Sequence, residues 1–178
     1  ISHLESGRLA LTLRATQIRN VAARVVEDLQ ARAQLKSATL ENQVPADLFA
    51  HADGERIEQV LFNLVDNAIK YGKTGGRTVI HGRPAAPGCI EVSVQDDGPG
   101  IPPDSRERLF ERFYRVDKAR SREQGGTGLG LAIVKHIVQC HGGEVGLESQ
   151  PGQGATFRFT LPVRAVNGVA SKAATPND

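Results

Sequence analysis

Apolar residues recur at spacings of three and four in three stretches of the chain and alternate with polar residues in several shorter ones. From Ile18 the positions Val21, Ala22, Val25, Val26 and Leu29 follow helical spacing, with Thr16 placed as an N-cap. A second helix is the clearest in the sequence. Asp53 stands before it as a cap, and Ile57, Val60, Leu61, Leu64, Val65, Ala68 and Ile69 form a continuous stripe. A third spans Leu129 to Cys140, with Ala132, Ile133, His136, Ile137 and Cys140 on one stripe and Gly142-Gly143 ending it. The opening Ile1 to Ser6 reads as the last turns of a further helix, with Gly7 suited to its left-handed cap.

Strand patterns occupy the remaining apolar positions. Thr39 to Val44 and Leu48 to His51 flank Pro45 and Asp47 and are expected as a hairpin. Strands are expected at Thr78 to His81 and at Ile90 to Gln95, where Ile90, Val92 and Val94 alternate with Glu91, Ser93 and Gln95, the pattern of a one-sided sheet. Val145 and Leu147, then Phe157, Phe159 and Leu161, alternate on either side of the turn Gln150 to Gly154. Between Ile101 and Gly125 periodicity gives way to dense charge, which predicts a long functional loop with a helical turn around Leu109 and Phe110. Helices interleaved with closely spaced strand pairs predict an α+β two-layer sandwich, a mixed and mostly antiparallel sheet of about five strands with about three helices on one face. The expected domain covers residues 11–163. Residues 1–10 read as a remnant of a preceding helical domain and residues 164–178 as a disordered tail.

Composition narrows the partners. At 178 residues the chain suits one domain with a real core. Charged residues make up 24% yet the net charge is +2, so no global field points to nucleic acid or to an anionic membrane. Cys89 and Cys140 lack metal-ligand spacing and fit a reducing compartment. No apolar run approaches the roughly 18 residues that cross a bilayer. A start at Ile1 and the absence of Met are expected of a soluble segment taken from a longer protein.

Three motifs carry chemistry. On a helical wheel Asn63, Asn67 and Lys70 share one face opposite the apolar stripe, bordered by Gln59 and Asp66. Neutral amide oxygens suit Mg²⁺ and a lysine beside them suits phosphate, whereas a solvated helix face is the plainer alternative. Asp96 ends an alternating strand and is followed by Asp97-Gly98-Pro99-Gly100. A carboxylate there can accept from the exocyclic amine of adenine while the glycines let backbone approach the base; a tight acidic turn is the alternative. Gly125-Gly126-Thr127-Gly128-Leu129-Gly130 leads into a helix start, where free N–H groups favour phosphate. It matches neither a Walker A loop nor a dinucleotide fingerprint, and a flexible linker is its alternative. Arg115, Lys118, Arg120 and Arg122 precede it and could reach a triphosphate.

In this order the motifs resemble the ATP-binding domain of two-component sensor histidine kinases, of the Bergerat fold shared with gyrase, Hsp90 and MutL. The resemblance covers about Leu11 to Val163. An N box stands at Asn63 to Tyr71, a G1 box at Asp96 to Gly100, an F box at Leu109 to Arg115 and a G2 box at Gly126 to Leu131. The F box separates kinases from their gyrase-like and Hsp90-like relatives. The resemblance implies ATP and Mg²⁺ as cofactors, with Asn67 the principal metal ligand, Asn63 assisting, Lys70 on phosphate and Tyr71 against adenine or ribose. It implies that Asp96 accepts from adenine N6, that Gly98, Gly100 and Ile101 line the base pocket, and that Arg115 reaches the γ-phosphate. Gly126, Thr127, Gly128, Leu129, Gly130 and Leu131 would hold the phosphates, and residues 102–125 would form the ATP lid.

Asn63 stands about where ATP-hydrolysing relatives carry a glutamate that activates water. An amide cannot take that proton, so Asn63, Lys70 and Arg115 are expected to serve phosphoryl transfer to a protein nucleophile. None of His3, His51, His81, His136 and His141 is nominated as that nucleophile. His3 is followed by Leu4-Glu5-Ser6-Gly7 rather than by the family's acceptor motif; His51 and His81 read as strand residues; His136 and His141 sit at a helix end, where a cation is mildly favoured. The implied partners are a dimerisation domain bearing the acceptor histidine and a response regulator. The parent would be a homodimeric inner-membrane sensor and this cytoplasmic piece a monomer. Two rival readings are a nucleotide-sensing module without transfer and an anti-sigma-type serine kinase of the same fold.

Overall fold

A computed structural model describes residues 9–85, 87–116 and 126–164. The elements run β1 (Arg14–Gln17), α1 (Ile18–Leu35), β2 (Thr39–Asn42), β3 (Phe49–Ala52), α2 (Gly54–Tyr71), β4 (Arg77–Ala85), β5 (Cys89–Asp96), α3 (Gly130–Cys140), β6 (Val145–Ser149) and β7 (Ala155–Pro162), with a 3-10 turn at Pro103–Ser105. Five strands form a mixed sheet in the order β2-β4-β5-β7-β6, in which β2 and β4 are parallel and the other pairs antiparallel. Among the described residues three α-helices lie on one face, so the two-layer architecture expected from the pattern is the one observed. The expected helix end at Ile1 to Gly7 lies outside the described residues, as does the tail beyond Arg164.

Register explains why one face is apolar. Ile80, Val94, Phe157 and Leu147 align across four strands, as do Gly82, Val92, Phe159 and Val145 in the next row. Alternation sends these side chains to the helix layer, where they join the stripes of α1 and α2 in a single core. On the opposite face Ser93, Arg158 and Glu148 meet solvent, with Arg158 paired to Glu148. β4 runs to Ala85, four residues past the expected end. Beyond Ile80 it has no β2 partner, so Pro84, which lacks an N–H, is tolerated at an edge.

Four local expectations are corrected. Residues 39–44 and 48–51 do not form a hairpin, because β2 pairs with β4 and β3 pairs with β1, a strand the pattern does not announce. Pro45 does make a turn, with Leu48 N–H donating to its carbonyl at 3.2 Å, but the buried Val44 and Leu48 then pack over Gly82 and carry the chain away from β2. Thr16 does not cap α1. Its hydroxyl donates to the Ala52 carbonyl at 2.9 Å, and Gln17 takes the cap position without a side-chain bond while Ile18 N–H donates to Leu48. Of the apolar positions expected to face the core from α3, only Ile137 is fully buried; Val134 and Val138 accompany it, while Ala132, Ile133, His136 and Cys140 are half-buried. That helix is apolar on most of its circumference, so its own pattern does not choose a face. In the loop after β5 the helical turn sits earlier than expected, at Pro103–Ser105, and Leu109 and Phe110 follow in hydrogen-bonded turns.

His141 is the fifth departure from the sequence reading. It is 1% exposed, its Nδ1–H donates to Ile137 at 2.8 Å, and its Nε2 accepts from the Asp53 N–H at 3.1 Å. Burial lowers its pKa, only partly offset by the Ile137 bond and the Asp53 charge, so the ring is neutral rather than a helix-end cation. Asp53 meanwhile caps α2 as expected, accepting from Arg56 N–H, and its second oxygen accepts from Thr12 N–H.

Candidate functional site

A cavity of about 500 Å³ opens between α2, the ends of β5 and β7, the turn leading into α3, and the segment after β5. Its size suits a small organic ligand. Each wall has a separate structural origin.

The sheet supplies Asp96. The apolar phase Ile90, Val92, Val94 continues at position 96, so the carboxylate points to the helix side at a place where alternation calls for an apolar residue. Asp97, one residue on, points away, accepts from Arg77 N–H at 2.8 Å and is half-exposed. Alternation thus divides the acidic doublet. Asp96 Oδ1 accepts from Gly98 N–H at 2.9 Å. Burial pushes its pKa up, the Gly98 and Ala155 backbone N–H groups pull it down and the Asp97 charge adds to the rise.

The loop after Asp96 is held from below by the β6–β7 hairpin. Ser149 Oγ accepts from Ile101 N–H at 2.9 Å and donates to Gly154, and Gly152 N–H donates to Pro99 at 2.7 Å. Gly100 has φ +76, and a Cβ there would lie 2.3 Å from the Gln150 carbonyl. Glycine is required at this position by the fold itself. Gly98 is buried beneath Asp96 against Gly72 and is not on the cavity wall.

Helix α2 supplies Asn63, Asn67, Lys70 and Tyr71 to the wall, with Asp66 among them. Sequence reasoning places Asp66 at the border of this face. The structure buries it to 7% exposure, with Oδ2 2.9 Å from Lys70 Nζ and Oδ1 2.7 Å from Arg32 Nη1. Lys36, at the end of α1, donates to the carbonyls of Ile69, Lys70 and Gly72, which anchors the last turn of α2. Neither Arg32 nor Lys36 carries any local signal, since each looks like an ordinary helix-end cation until α1 packs on α2.

The glycine turn closes the third side. Gly126, Thr127, Gly128, Gly130 and Leu131 line the cavity and Leu129 does not. No side chain caps α3 at its N-terminus, so the early N–H groups of the helix are left for a ligand or water. Gly128 has φ +74 and packs against the backbone of Phe113, whose N–H donates to the Gly128 carbonyl at 2.9 Å. Phe113 itself sits at φ 63 and is 70% exposed. Leu109 and Phe110 pin the segment to the sheet, Phe110 meeting Phe157 edge-on at 6.2 Å, and Arg115 and Val116 complete the wall. Lys118, Arg120 and Arg122 fall outside the described residues.

A carboxylate at a sheet end, amides and a lysine on a facing helix, and an uncapped helix start preceded by glycines constitute one site. Over residues 52–165 the chain matches the family profile described as Histidine kinase-, DNA gyrase B-, and HSP90-like ATPase. The chain belongs to this family. It is 42% identical over 149 residues to the adaptive-response sensory kinase SasA of Trichormus variabilis, an alignment covering 83% of this chain and 37% of that protein. Among solved structures, full-length ShkA in complex with AMPPNP superposes with a TM-score of 0.78 at 32% identity, covering 93% of this chain and 34% of ShkA. Histidine kinase ThkA in complex with the response regulator TrrA superposes with a TM-score of 0.70 at 26% identity, covering 85% of this chain and 42% of that one. The chain therefore spans well under half the length of these relatives.

As a member of the histidine kinase-like ATPase family, the chain has a donor set that suits a magnesium ion shared with a nucleotide. Asn63 and Asn67 present neutral amides, Asn63 lying with Nδ2 3.5 Å from the Gly130 carbonyl. Among the described residues no three His, Cys, Asp or Glu side chains gather into a protein-only metal cage. Mg²⁺ typically takes one or two protein ligands and completes its shell with water and phosphate. Among the described residues no helix is long and apolar enough to cross a membrane.

Proposed function

We propose that this chain is the ATP-binding catalytic domain of a sensor histidine kinase, which binds Mg·ATP and presents its γ-phosphate to a histidine on a dimerisation domain, for onward transfer to a response-regulator aspartate. The observation that carries the reading is the convergence on one cavity of Asp96, the Asn63-Asn67-Lys70 face, Arg115 and the glycine turn. The histidine kinase names of its relatives, the AMPPNP complex of ShkA and the response-regulator complex of ThkA support it.

In this reading Asp96 accepts from the adenine amine, Gly100, Ile101 and Tyr71 bound the base and ribose, and Asn67 with Asn63 holds Mg²⁺. When bound, the ion neutralises charge on the phosphate oxygens. Lys70 and Arg115 supply cationic contacts, and the N–H groups around Gly126, Gly128 and Gly130 receive the phosphates. Residues 102–125 act as a lid and residues 1–10 as the end of a dimerisation domain. Asn63 cannot serve as a base toward water, so the site favours a protein nucleophile over hydrolysis. The P–O bond to the β-phosphate breaks as the histidine nitrogen bonds to phosphorus, and ADP leaves.

Two measurements test this. Asn67→Ala should remove most of the Mg²⁺ dependence of ATP affinity, and an unchanged dependence would reject the metal assignment. Adding the parent's dimerisation domain to the fragment with labelled ATP should yield acid-labile label on the added domain; absence of label there would leave nucleotide binding without transfer, and stable label on the fragment itself would contradict the reading of its histidines.

A further inference from the structure

Asp66 is an unusual residue to find on this wall. Among the described residues lining the cavity it and Asp96 are the only carboxylates, and a carboxylate beside a triphosphate is unfavourable unless its charge is compensated. Asp66 is buried and doubly compensated. Lys70 reaches it from one turn along α2 at 2.9 Å and Arg32 reaches it from α1 at 2.7 Å. The Arg32 guanidinium also lies 5.7 Å from the centre of the Phe62 ring, a second contact that keeps it against α2. The two cations differ in access. Lys70 is on the cavity wall, whereas Arg32 is not.

We propose that Arg32 is a positioning residue for triphosphate binding: it stands as the permanent counter-ion of Asp66 and so frees Lys70 to exchange from Asp66 to a phosphate oxygen. This rests on the reading of Lys70 as a phosphate ligand. The physical reason is the cost of a buried lone charge. With Arg32 in place, a departing Lys70 leaves Asp66 still paired; without it, departure strands a buried carboxylate, which costs far more than an exposed pair gains. Lys70 would then stay on Asp66 and the phosphates would lose a donor. Arg32 acts through another residue and touches no nucleotide. The Arg32 side chain is half-exposed, so its replacement leaves no cavity in the core.

The experiment is calorimetric or competition titration of the full chain with Mg·ATP and with adenosine, which carries no phosphate. Arg32→Met should weaken ATP binding by about tenfold or more, the low end of one charge-assisted contact, and leave adenosine unchanged. Arg32→Lys should retain most of the ATP affinity. Arg32→Met combined with Asp66→Asn should recover it, because no carboxylate remains to hold Lys70, and this pair also answers for any folding defect of the single variant. In a background carrying both Lys70→Met and Asp66→Asn, where neither the exchanging lysine nor the carboxylate remains, Arg32→Met should have no further effect. Equal losses for ATP and adenosine, an unchanged ATP affinity in Arg32→Met, or no recovery in the double variant would each overturn the proposal. Lys70→Met separates the two layers: if it leaves the ATP-to-adenosine ratio intact the phosphate role of Lys70 fails, whereas a lost ratio with a silent Arg32→Met overturns the counter-ion role alone.

Discussion

Replacing Asp96 by Asn should move nucleotide affinity and unliganded stability in opposite directions. Asp96 Oδ1 is engaged by Gly98 N–H at 2.9 Å, and an amide oxygen can keep that bond. The other position of the side chain then becomes an NH₂ group facing the adenine amine, donor against donor. Loss of a charged acceptor costs about 1.5–3 kcal/mol, or about 10- to 150-fold in Kd. The unliganded protein behaves differently. Burial raises the pKa of Asp96 from 3.8, so its contribution to stability is fully present below that unfolded value and is lost as pH rises through the raised folded value. Above that raised value the ionised group is a net cost, and an uncharged isostere removes it. Asp96→Asn should therefore melt at or above the wild-type temperature without nucleotide and lose most of the upward shift that saturating Mg·ATP produces. Differential scanning calorimetry with and without Mg·ATP reads both arms. A variant that melts well below wild type while binding ATP normally would refute the placement of Asp96 as a desolvated ligand group.

Further outcomes follow from the packing. His141 is neutral in the folded state, with its pKa below the ordinary 6.5, so stability should decline as pH falls from about 6.5 towards the lowered value and level off beneath it. The urea midpoint followed against pH checks this, and His141→Ala should flatten the decline while costing about 1–3 kcal/mol near neutral pH through the unpaired Asp53 N–H. Gly100→Ala should destabilise by about 2–5 kcal/mol, from a left-handed backbone and a clash with the Gln150 carbonyl. Gly75→Ala shares the positive φ but faces open space, and should cost only about 1–2 kcal/mol by chemical denaturation. Equal costs at the two positions would show that the close approach of Gly100 is unimportant.

Much of the fold was legible because burial leaves a local period. The stripe from Ile57 to Ile69 and the alternation from Ile90 to Val94 each record one face in contact with a core, and the ends of those patterns located Asp53 and Asp96. The chemistry-bearing motifs were legible for a related reason: they are short, so their spacing survives in the sequence. Periodicity says that a face is buried and does not say against what. For α3, apolar around most of its girth, the face was decided by α2 and the sheet, which selected Val134, Ile137 and Val138 over the expected stripe. The same limit explains the missed strand β1 and the false hairpin, since a turn at Pro45 constrains four residues and leaves the pairing partner to long-range register.

Taken alone, the sequence determined the family, the two-layer class and the identity of the groups on the cavity-lining elements, because those depend on residue type and spacing along single segments. Only the tertiary structure decided how those groups are held. Arg32 on α1 and Lys36 at its end are unremarkable cations, and they become partners of Asp66 and of the α2 carbonyls only when residues 34 apart in sequence come together. His141 reads as a helix-end residue where a cation is mildly favoured and becomes a buried neutral link between α3 and the start of α2. In each case the deciding quantity is desolvation, which belongs to a residue's surroundings after the chain has closed on itself and is absent from any window of its sequence.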